Sequence, residues 1–187
     1  MIKIQKQEYL DELLEMTDFD RLVRIAIREK DLRAVALFYA LYLTGMRVSE
    51  VLQLKVSDVA NDYITVIGKG EKARDVPITD DLREYIKDYI RDRKQPIGGS
   101  LFVNKNNDNV MSRQSIDNLI KKYAGMAKVK LSKAHAHNFR HLAGIRMMEE
   151  GFTIDEVADV LGHGNINTTR IYTRKTKKQL RKAMSRL

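Results

Sequence analysis

One apolar segment constrains the fold of this chain more than any other feature of the sequence. Ten residues from Ala34 to Leu43 carry no charge, and they lie inside a longer segment, Asp31 to Thr44, that is apolar almost all round. A helix that is apolar on every side is buried in a core, and a membrane span needs roughly 20 such residues. Gly45 follows directly and suits a left-handed helix cap. We therefore predict a central buried helix with other elements packed around it.

The charge balance indicates a polyanionic partner. The 187 residues include 34 Lys and Arg against 25 Asp and Glu, which gives a formal net charge of +9 and a pI of about 9.6. A basic surplus of this size favours nucleic acid first and an anionic membrane surface second. The absence of cysteine excludes disulfides, thiolate metal ligands and cysteine nucleophiles. The N-terminal segment carries charges throughout, so it is not a secretory signal.

Periodicity and capping residues predict a mostly helical α+β fold with a small antiparallel sheet. Two strands, Tyr63 to Ile67 and Asp75 to Ile78, flank the turn GKGEKA and predict a hairpin. A further short strand is expected from Leu101 to Val103. The central helix is followed by a second helix, Glu50 to Leu54, with Ser49 as its N-cap. Later helices have apolar residues at helical spacing, and they begin at Thr79 or Asp80, Ser112, His137 and Thr153.

Four polar clusters lie at the boundaries of these elements. They are TGMRVSE at 44–50, GKGEKAR at 68–74, HAHNFRH at 135–141 and LGHGNINTTRIY at 161–172. Side chains at such boundaries can face a cleft while the flanking elements hold them in place. We therefore expect the functional residues in these four clusters.

Taken singly, the residues of the clusters have ordinary structural explanations. Arg47 suits a surface ion pair with Glu50, and Lys69 suits a glycine-flanked turn. Tyr172 fits a half-buried tyrosine at the edge of a core. The pair His137–Arg140 shares one helix face, and it suits either a solvated basic face or the grip on a phosphate.

Taken together, the clusters contain what phosphodiester cleavage by a tyrosine requires. Arginine forks neutralise the non-bridging oxygens of the transition state. A histidine accepts the proton of a phenol whose ordinary pKa is near 10, and a lysine protonates the departing 5′ oxygen. The guanidinium groups supply the positive charge, so we expect no metal and no cofactor. The histidines lack an acidic or cysteine partner for zinc, and they stand at 135, 137, 141 and 163.

These residues follow the order of a known family. The sequence resembles the tyrosine recombinases, or phage integrases, over nearly the whole chain, and the motifs of all four clusters carry the resemblance. The family's order is arginine, lysine, His-x-x-Arg, histidine and, nine residues on, tyrosine. We assign the His-x-x-Arg motif to His137 rather than His135, because only His137 lies three residues before Arg140. The matching residues are Arg47, Lys69, His137, Arg140, His163 and Tyr172.

The resemblance implies a role for each of these residues. Arg47 and Arg140 would clamp the scissile phosphate, and His163 would hydrogen-bond it. Lys69 would be the general acid and His137 a proton acceptor. The nucleophile and two supporting residues complete the implied site.

Tyr172 would form a 3′-phosphotyrosine link, and Glu50 and His141 would orient or pack the reacting groups. The implied activity is site-specific DNA recombination or integration, as in mobile elements. Two alternatives use similar residues: a non-catalytic DNA-binding regulator with the same fold, and a type IB topoisomerase-like enzyme that nicks and closes DNA.

Family members usually carry a helical DNA-clamping domain before the catalytic one. We expect residues 1–187 to form a single catalytic domain without that clamping domain, either excised from a longer recombinase or standing alone. The basic tail, 173–187, would dock its Leu180, Met184 and Leu187 face on a neighbouring protomer, or else pack on its own core. The expected partner is double-stranded DNA, with the protein monomeric when free and tetrameric on synapsed DNA. Accessory DNA-bending proteins could take part, and we expect no contact with a membrane. The expected location is the cytoplasm, in association with the nucleoid.

Overall fold

The computed structural model describes residues 13–68, 73–93, 99–105, 109–173 and 184–185. Within these ranges seven α-helices and one two-stranded antiparallel sheet form a mostly helical α+β fold, as the sequence predicts. The helices are α1 Met16–Arg28, α2 Leu32–Thr44, α3 Val48–Val51, α4 Asp80–Asp92, α5 Arg113–Met126, α6 Ala136–Glu149 and α7 Ile154–Leu161. The strands are β1 Tyr63–Ile67 and β2 Ala73–Pro77, and short 3₁₀ segments cover Val56–Ala60, Leu131–Lys133 and Ile166–Thr173.

Helix α2 is the centre of the core, and the prediction of a buried central helix is confirmed. The Asp31 side chain caps its N-terminus by accepting from the Ala34 amide at 3.2 Å, and Gly45 ends it in the left-handed conformation at φ 58°. Its Phe38 packs against Phe139 of α6, with ring centroids 5.6 Å apart. Helices α1, α4 and α6 pack against α2, so three other helices cover α2.

The predicted hairpin is confirmed, with β2 beginning two residues earlier than expected. Val66 of β1 pairs with Arg74 of β2, and Ile64 pairs with Val76. Val66 and Val76 are buried, so one face of the hairpin packs on the helical core. The turn that carries Lys69 lies outside the described residues.

The predicted strand Leu101–Val103 is wrong. Val103 makes only an isolated bridge to Val110, and no ladder extends from it among the described residues. Two carbonyls of this segment accept from arginine side chains instead of a neighbouring strand: Arg33 Nη1 donates to Val103 at 3.1 Å, and Arg93 Nη1 donates to Leu101 at 3.2 Å. The Phe102 carbonyl accepts from the Met111 amide at 3.0 Å.

Ser49 is not the N-cap of the second helix. Helix α3 begins at Val48, after Arg47, and the Glu50 carboxylate accepts from the Arg47 amide at 2.7 Å. A carboxylate at the third helical position that accepts from the N-cap amide is one half of a capping box, and it places the N-cap at Arg47 rather than at Ser49.

The other helix signals hold to within a residue. Thr79 and Ser112 cap α4 and α5, and Thr153 forms a capping box with Glu156 at the start of α7. Most of the basic tail lies outside the described residues. The longest helices in the described part of the chain have 14 residues, and none combines the length and apolarity that crossing a membrane requires.

Candidate active site

Arg140 is a fully buried charged residue of the site. It lies one turn into α6, is 1% exposed, and donates through Nη1 to the Gly45 carbonyl at 2.7 Å and through Nη2 to the Leu161 carbonyl. One guanidinium therefore joins the ends of α2, α6 and α7. Burial lowers its pKa to about 10, and the neighbouring charge of Arg47 acts in the same direction. Arg140 still carries its charge at neutral pH.

The close approach of α2 and α7 at this point requires glycine. Gly45 has a φ of 58°, and a Cβ there would lie 2.4 Å from Leu161 Cδ2. The glycine therefore lets the two helix ends meet where Arg140 bonds their carbonyls.

Arg47 faces Arg140 from the start of α3. Its Nη1 lies 2.9 Å from Glu50 Oε1 and its Nη2 donates to the Gly162 carbonyl at 3.2 Å. The ion pair with Glu50 exists, but it is not a surface pair, because the Glu50 side chain is only 1% exposed while that of Arg47 is 34% exposed. The side chain of Arg47 thus remains partly exposed.

Glu50 is a buried anion among cations. Burial by itself raises the pKa of a carboxyl, but hydrogen bonds from Arg74 and from the Arg47 amide outweigh it and lower the pKa of Glu50 to about 2. Glu50 is therefore ionised over the whole physiological range, which agrees with a supporting rather than a proton-transferring position.

Arg74 is a site residue that the sequence analysis did not name. Its Nη1 and Nη2 donate to the two oxygens of Glu50, each at 2.9 Å, and its Nε donates to the Val160 carbonyl at 3.0 Å. A signal was present in the sequence: Arg74 lies two residues before Val76, so strand alternation puts it on the face that the hairpin buries. An arginine on that face needs an anionic partner.

The first two turns of α6 place His137 and His141 beside Arg140. The two imidazole rings are perpendicular, with centroids 4.3 Å apart. Although the surface of His137 is exposed, desolvation by the groups packed around it, followed by the charges of Arg140 and Arg47, lowers its pKa. Burial, followed by His137 and Arg140, lowers the pKa of His141 to about 4. His135, the rival for the motif, is the exposed N-cap of α6.

His163 follows α7 and is fixed by a residue that the sequence analysis missed. Its Nδ1 lies 2.8 Å from Oγ1 of Thr169, which is fully buried. This hydrogen bond leaves Nε2 as the ring nitrogen for a ligand. Burial, then the charges of Arg140 and Arg47, lower the pKa of His163 to about 4. Threonine within NTTRIY carries no sequence signal for this role, since the contact depends on the turn of the chain after α7.

Tyr172 lies in the same cluster and is 6% exposed. Its ring packs over Gly144 of α6, where a Cβ would lie 2.6 Å from a ring carbon. The ring centroids of His141 and His163 are 5.6 Å and 6.2 Å from that of Tyr172. Burial raises the pKa of Tyr172, while Arg140 and Arg47 oppose that rise. The phenol is therefore neutral and needs a proton acceptor to react.

Five of the six predicted reactive residues are thus close together, at the ends of α2, α3, α6 and α7, and the sixth, Lys69, lies outside the described residues. Among the residues that the structure describes, no three histidine or acidic side chains are grouped as a metal ion would need.

The sequence and the structure are both similar to those of known proteins. The model of the phage integrase family matches residues 12–179. The chain belongs to this family. Tyrosine recombinase XerD of Staphylococcus epidermidis is 32% identical over 193 aligned positions, which cover 97% of this chain and 65% of that protein. Tyrosine recombinase XerA of Pyrococcus furiosus is 34% identical over 182 positions, which cover 95% of this chain and 62% of that protein. The chain thus spans less than two thirds of these relatives.

Solved structures of family members show the same fold. The crystal structure of XerA recombinase superposes with a TM-score of 0.78 at 26% identity and covers 93% of this chain and 62% of that chain. The post-cleavage complex of the XerH site-specific recombinase with its palindromic difH substrate has a TM-score of 0.76 at 26% identity. It covers 92% of this chain and 52% of that chain.

Proposed function

We propose that this chain is the catalytic part of a site-specific DNA recombinase, which breaks and rejoins strands through a 3′-phosphotyrosine intermediate on Tyr172. The observation that carries the proposal is the grouping of Arg47, Arg140, His137 and His163 with the Tyr172 ring. Family membership supports the same reaction.

The two arginines are suited to binding the scissile phosphate. Within the described residues Arg140 bonds two backbone carbonyls and no carboxylate, so an ion pair does not cancel its charge. The side chain of Arg47 beside it is 34% exposed. Fixed guanidinium donors at the non-bridging oxygens stabilise the charge that builds up in the transition state.

Proton transfer requires an acceptor for Tyr172 and a donor for the leaving oxygen. Burial raises the pKa of Tyr172, so the phenol cannot ionise unaided at neutral pH. The lowered pKa of His137 keeps that imidazole neutral, and a neutral imidazole accepts a proton. His163 hydrogen-bonds the phosphate through Nε2, and Lys69 protonates the departing 5′ oxygen.

The partner is double-stranded DNA. The net charge of +9 suits a polyanion, and the XerH relative is described in complex with its difH substrate. The protein would be monomeric when free and tetrameric on synapsed DNA, with accessory DNA-bending proteins. Residues 1–187 would form one catalytic domain, and the protein would act in the cytoplasm on nucleoid DNA.

Covalent trapping tests the proposal. DNA selected from a random duplex pool by binding to the protein is remade with a nick, so that a cleaved strand cannot be rejoined. The unaltered protein should form a covalent adduct with this DNA. Tyr172→Phe should bind the DNA about as well and form no adduct, because only the nucleophilic oxygen is removed.

Tyr63→Phe is the matched control, since Tyr63 is 63% exposed on β1 and should react like the parent. A full yield of adduct from Tyr172→Phe would assign the nucleophile to another tyrosine. Tight binding without any adduct from the unaltered protein would indicate a non-catalytic DNA-binding regulator.

A further inference from the structure

Arg74 is buried at a junction between the hairpin and the candidate active site. It lies on β2 and its side chain is 12% exposed. Its guanidinium makes a two-pronged contact with Glu50 of α3 and a third hydrogen bond to the Val160 carbonyl in the last turn of α7. Neither a surface ion pair nor ordinary strand packing needs this many fixed donors.

The same side chain also determines which residue can precede His163. A Cβ on Gly162 would lie 2.9 Å from Arg74 Nη1 and 3.0 Å from its Cδ. Gly162 has a φ of 63°, and its carbonyl accepts from Arg47 Nη2 at 3.2 Å. Arg74 thus packs directly against the peptide that links Arg47 to His163.

The contacts of Arg74 also affect how strongly Arg47 can attract a phosphate. The Glu50 carboxylate receives four donors: Nη1 and Nη2 of Arg74, and the amide and Nη1 of Arg47. Without Arg74, one buried anion would have only Arg47 as a cationic partner among the contacts of this site. Arg47 would then be bound in a one-to-one ion pair and would lose much of its attraction for a phosphate.

We propose that Arg74 is a positioning residue for strand cleavage, which occupies both oxygens of Glu50 and thereby leaves the charge of Arg47 available to the scissile phosphate. The inference rests on the proposed function. Arg74 contacts neither the phosphate nor the nucleophile, and it acts through Glu50 and the Gly162 peptide.

The test measures single-turnover adduct formation at saturating nicked DNA, together with the Kd for the same DNA. Arg74→Ala should slow adduct formation by about 10 to 10²-fold, below the loss for a direct transition-state donor, while Kd changes by less than about 3-fold. Arg74→Lys keeps the charge but loses the two-pronged contact with Glu50, so its rate of adduct formation should lie between those of the unaltered protein and Arg74→Ala. Glu50→Gln added to Arg74→Ala should restore most of the rate, because no unbalanced anion then competes for Arg47.

Two controls distinguish this positioning role from an effect on overall stability and from an effect on proton donation by Lys69. Arg83→Ala removes an arginine of similar burial, 14% exposed and paired with Asp62, and should leave the cleavage rate of the folded protein unchanged. A 5′-bridging phosphorothiolate substrate, whose leaving group needs no proton, should rescue Lys69→Ala but not Arg74→Ala.

Each outcome decides a specific point. Parental rates for Arg74→Ala, no recovery on adding Glu50→Gln, or phosphorothiolate rescue of Arg74→Ala would overturn the inference while the proposed function stands. Failure of the unaltered protein to form any adduct would overturn the proposed function and this inference with it. If Arg74→Ala does not fold, Arg74→Lys and the double variant, which leaves no uncompensated buried carboxylate, decide the same question.

Discussion

Replacing Lys133 with methionine should destabilise the fold through a buried ion cluster outside the candidate site. Lys133 Nζ lies 3.0 Å from Glu15 Oε1 and 3.1 Å from Asp18 Oδ2, and the side chains of Lys133 and Asp18 are 10% and 7% exposed. Asn138, in the first turn of α6, donates through its side-chain amide to the Lys133 carbonyl at 2.9 Å. The cluster therefore ties α1 to the start of the helix that carries the histidines and Arg140.

The size of the effect follows from what the substitution leaves behind. Removing one partner of a buried ion pair costs about 3–5 kcal/mol. Asp18 keeps Arg21 and the Glu15 amide as partners, and Glu15 is 71% exposed, so we expect about 2–3 kcal/mol. In a domain of this length each kcal/mol lowers Tm by about 2–4 °C, which gives a decrease of about 4–12 °C.

Urea titration followed by circular dichroism measures this loss. Asp18→Asn added to Lys133→Met should recover part of the lost stability, because the uncompensated carboxylate is then gone. Lys87→Met is the matched control: Lys87 and Glu84 are 51% and 65% exposed, and no change beyond experimental error is expected. A loss below about 1 kcal/mol for Lys133→Met, with no recovery in the double variant, would refute the reasoning.

Three further predictions concern the site and the tail. The pKa of Glu50 is lowered to about 2 in the folded state, so ionised Glu50 stabilises the fold above about pH 5 and this stabilisation is lost as the pH falls towards 2. The free energy of unfolding measured against pH should therefore decrease by about 3 kcal/mol over this range. Glu50→Gln should abolish that decrease. Lys69→Ala should slow cleavage of ordinary DNA by roughly 10² to 10⁴-fold, yet it should approach the parental rate on 5′-bridging phosphorothiolate DNA. Equal defects on both substrates would mean that Lys72 or a histidine is the general acid. Deleting residues 176–187 should spare folding of the monomer and reduce multimeric complexes on DNA in gel-shift assays, whereas an unfolded product would show that the tail packs on its own core.

Local signals explain why most of the helices could be predicted from sequence. Asp31 with Gly45, and Thr153 with Gly162, fix the ends of α2 and α7 through contacts within a few residues. Such caps depend on chain neighbours and not on the tertiary fold. The alternation along the hairpin strands is equally local, and it correctly predicts the antiparallel pair.

The errors arise where distant residues decide the outcome. The segment after Ser100 has apolar residues typical of a strand, but the side chains of Arg33 and Arg93 bond its carbonyls. Ser49 loses the N-cap position to Arg47, whose amide donates to Glu50, and Glu50 is held by Arg74 from 24 residues away. The reactive residues could be proposed because of their order along the chain. The contacts of Arg74 and Thr169 require the folded arrangement.

The crowding of fixed cations gives the histidines of this site a defined state before DNA binds. His141 and His163 have pKa values of about 4, with burial the largest cause and Arg140 among the others. They are therefore neutral at pH 7, and the positive charge of the site resides on the guanidinium groups, which cannot release protons in this range. In the proposed mechanism a phosphate bound between Arg47 and Arg140 would bring a negative charge that opposes this lowering and makes an imidazolium less costly. His137, the proton acceptor of the proposed mechanism, would then become a better acceptor once the phosphate is bound, because Arg140 and Arg47 are among the causes that lower its pKa.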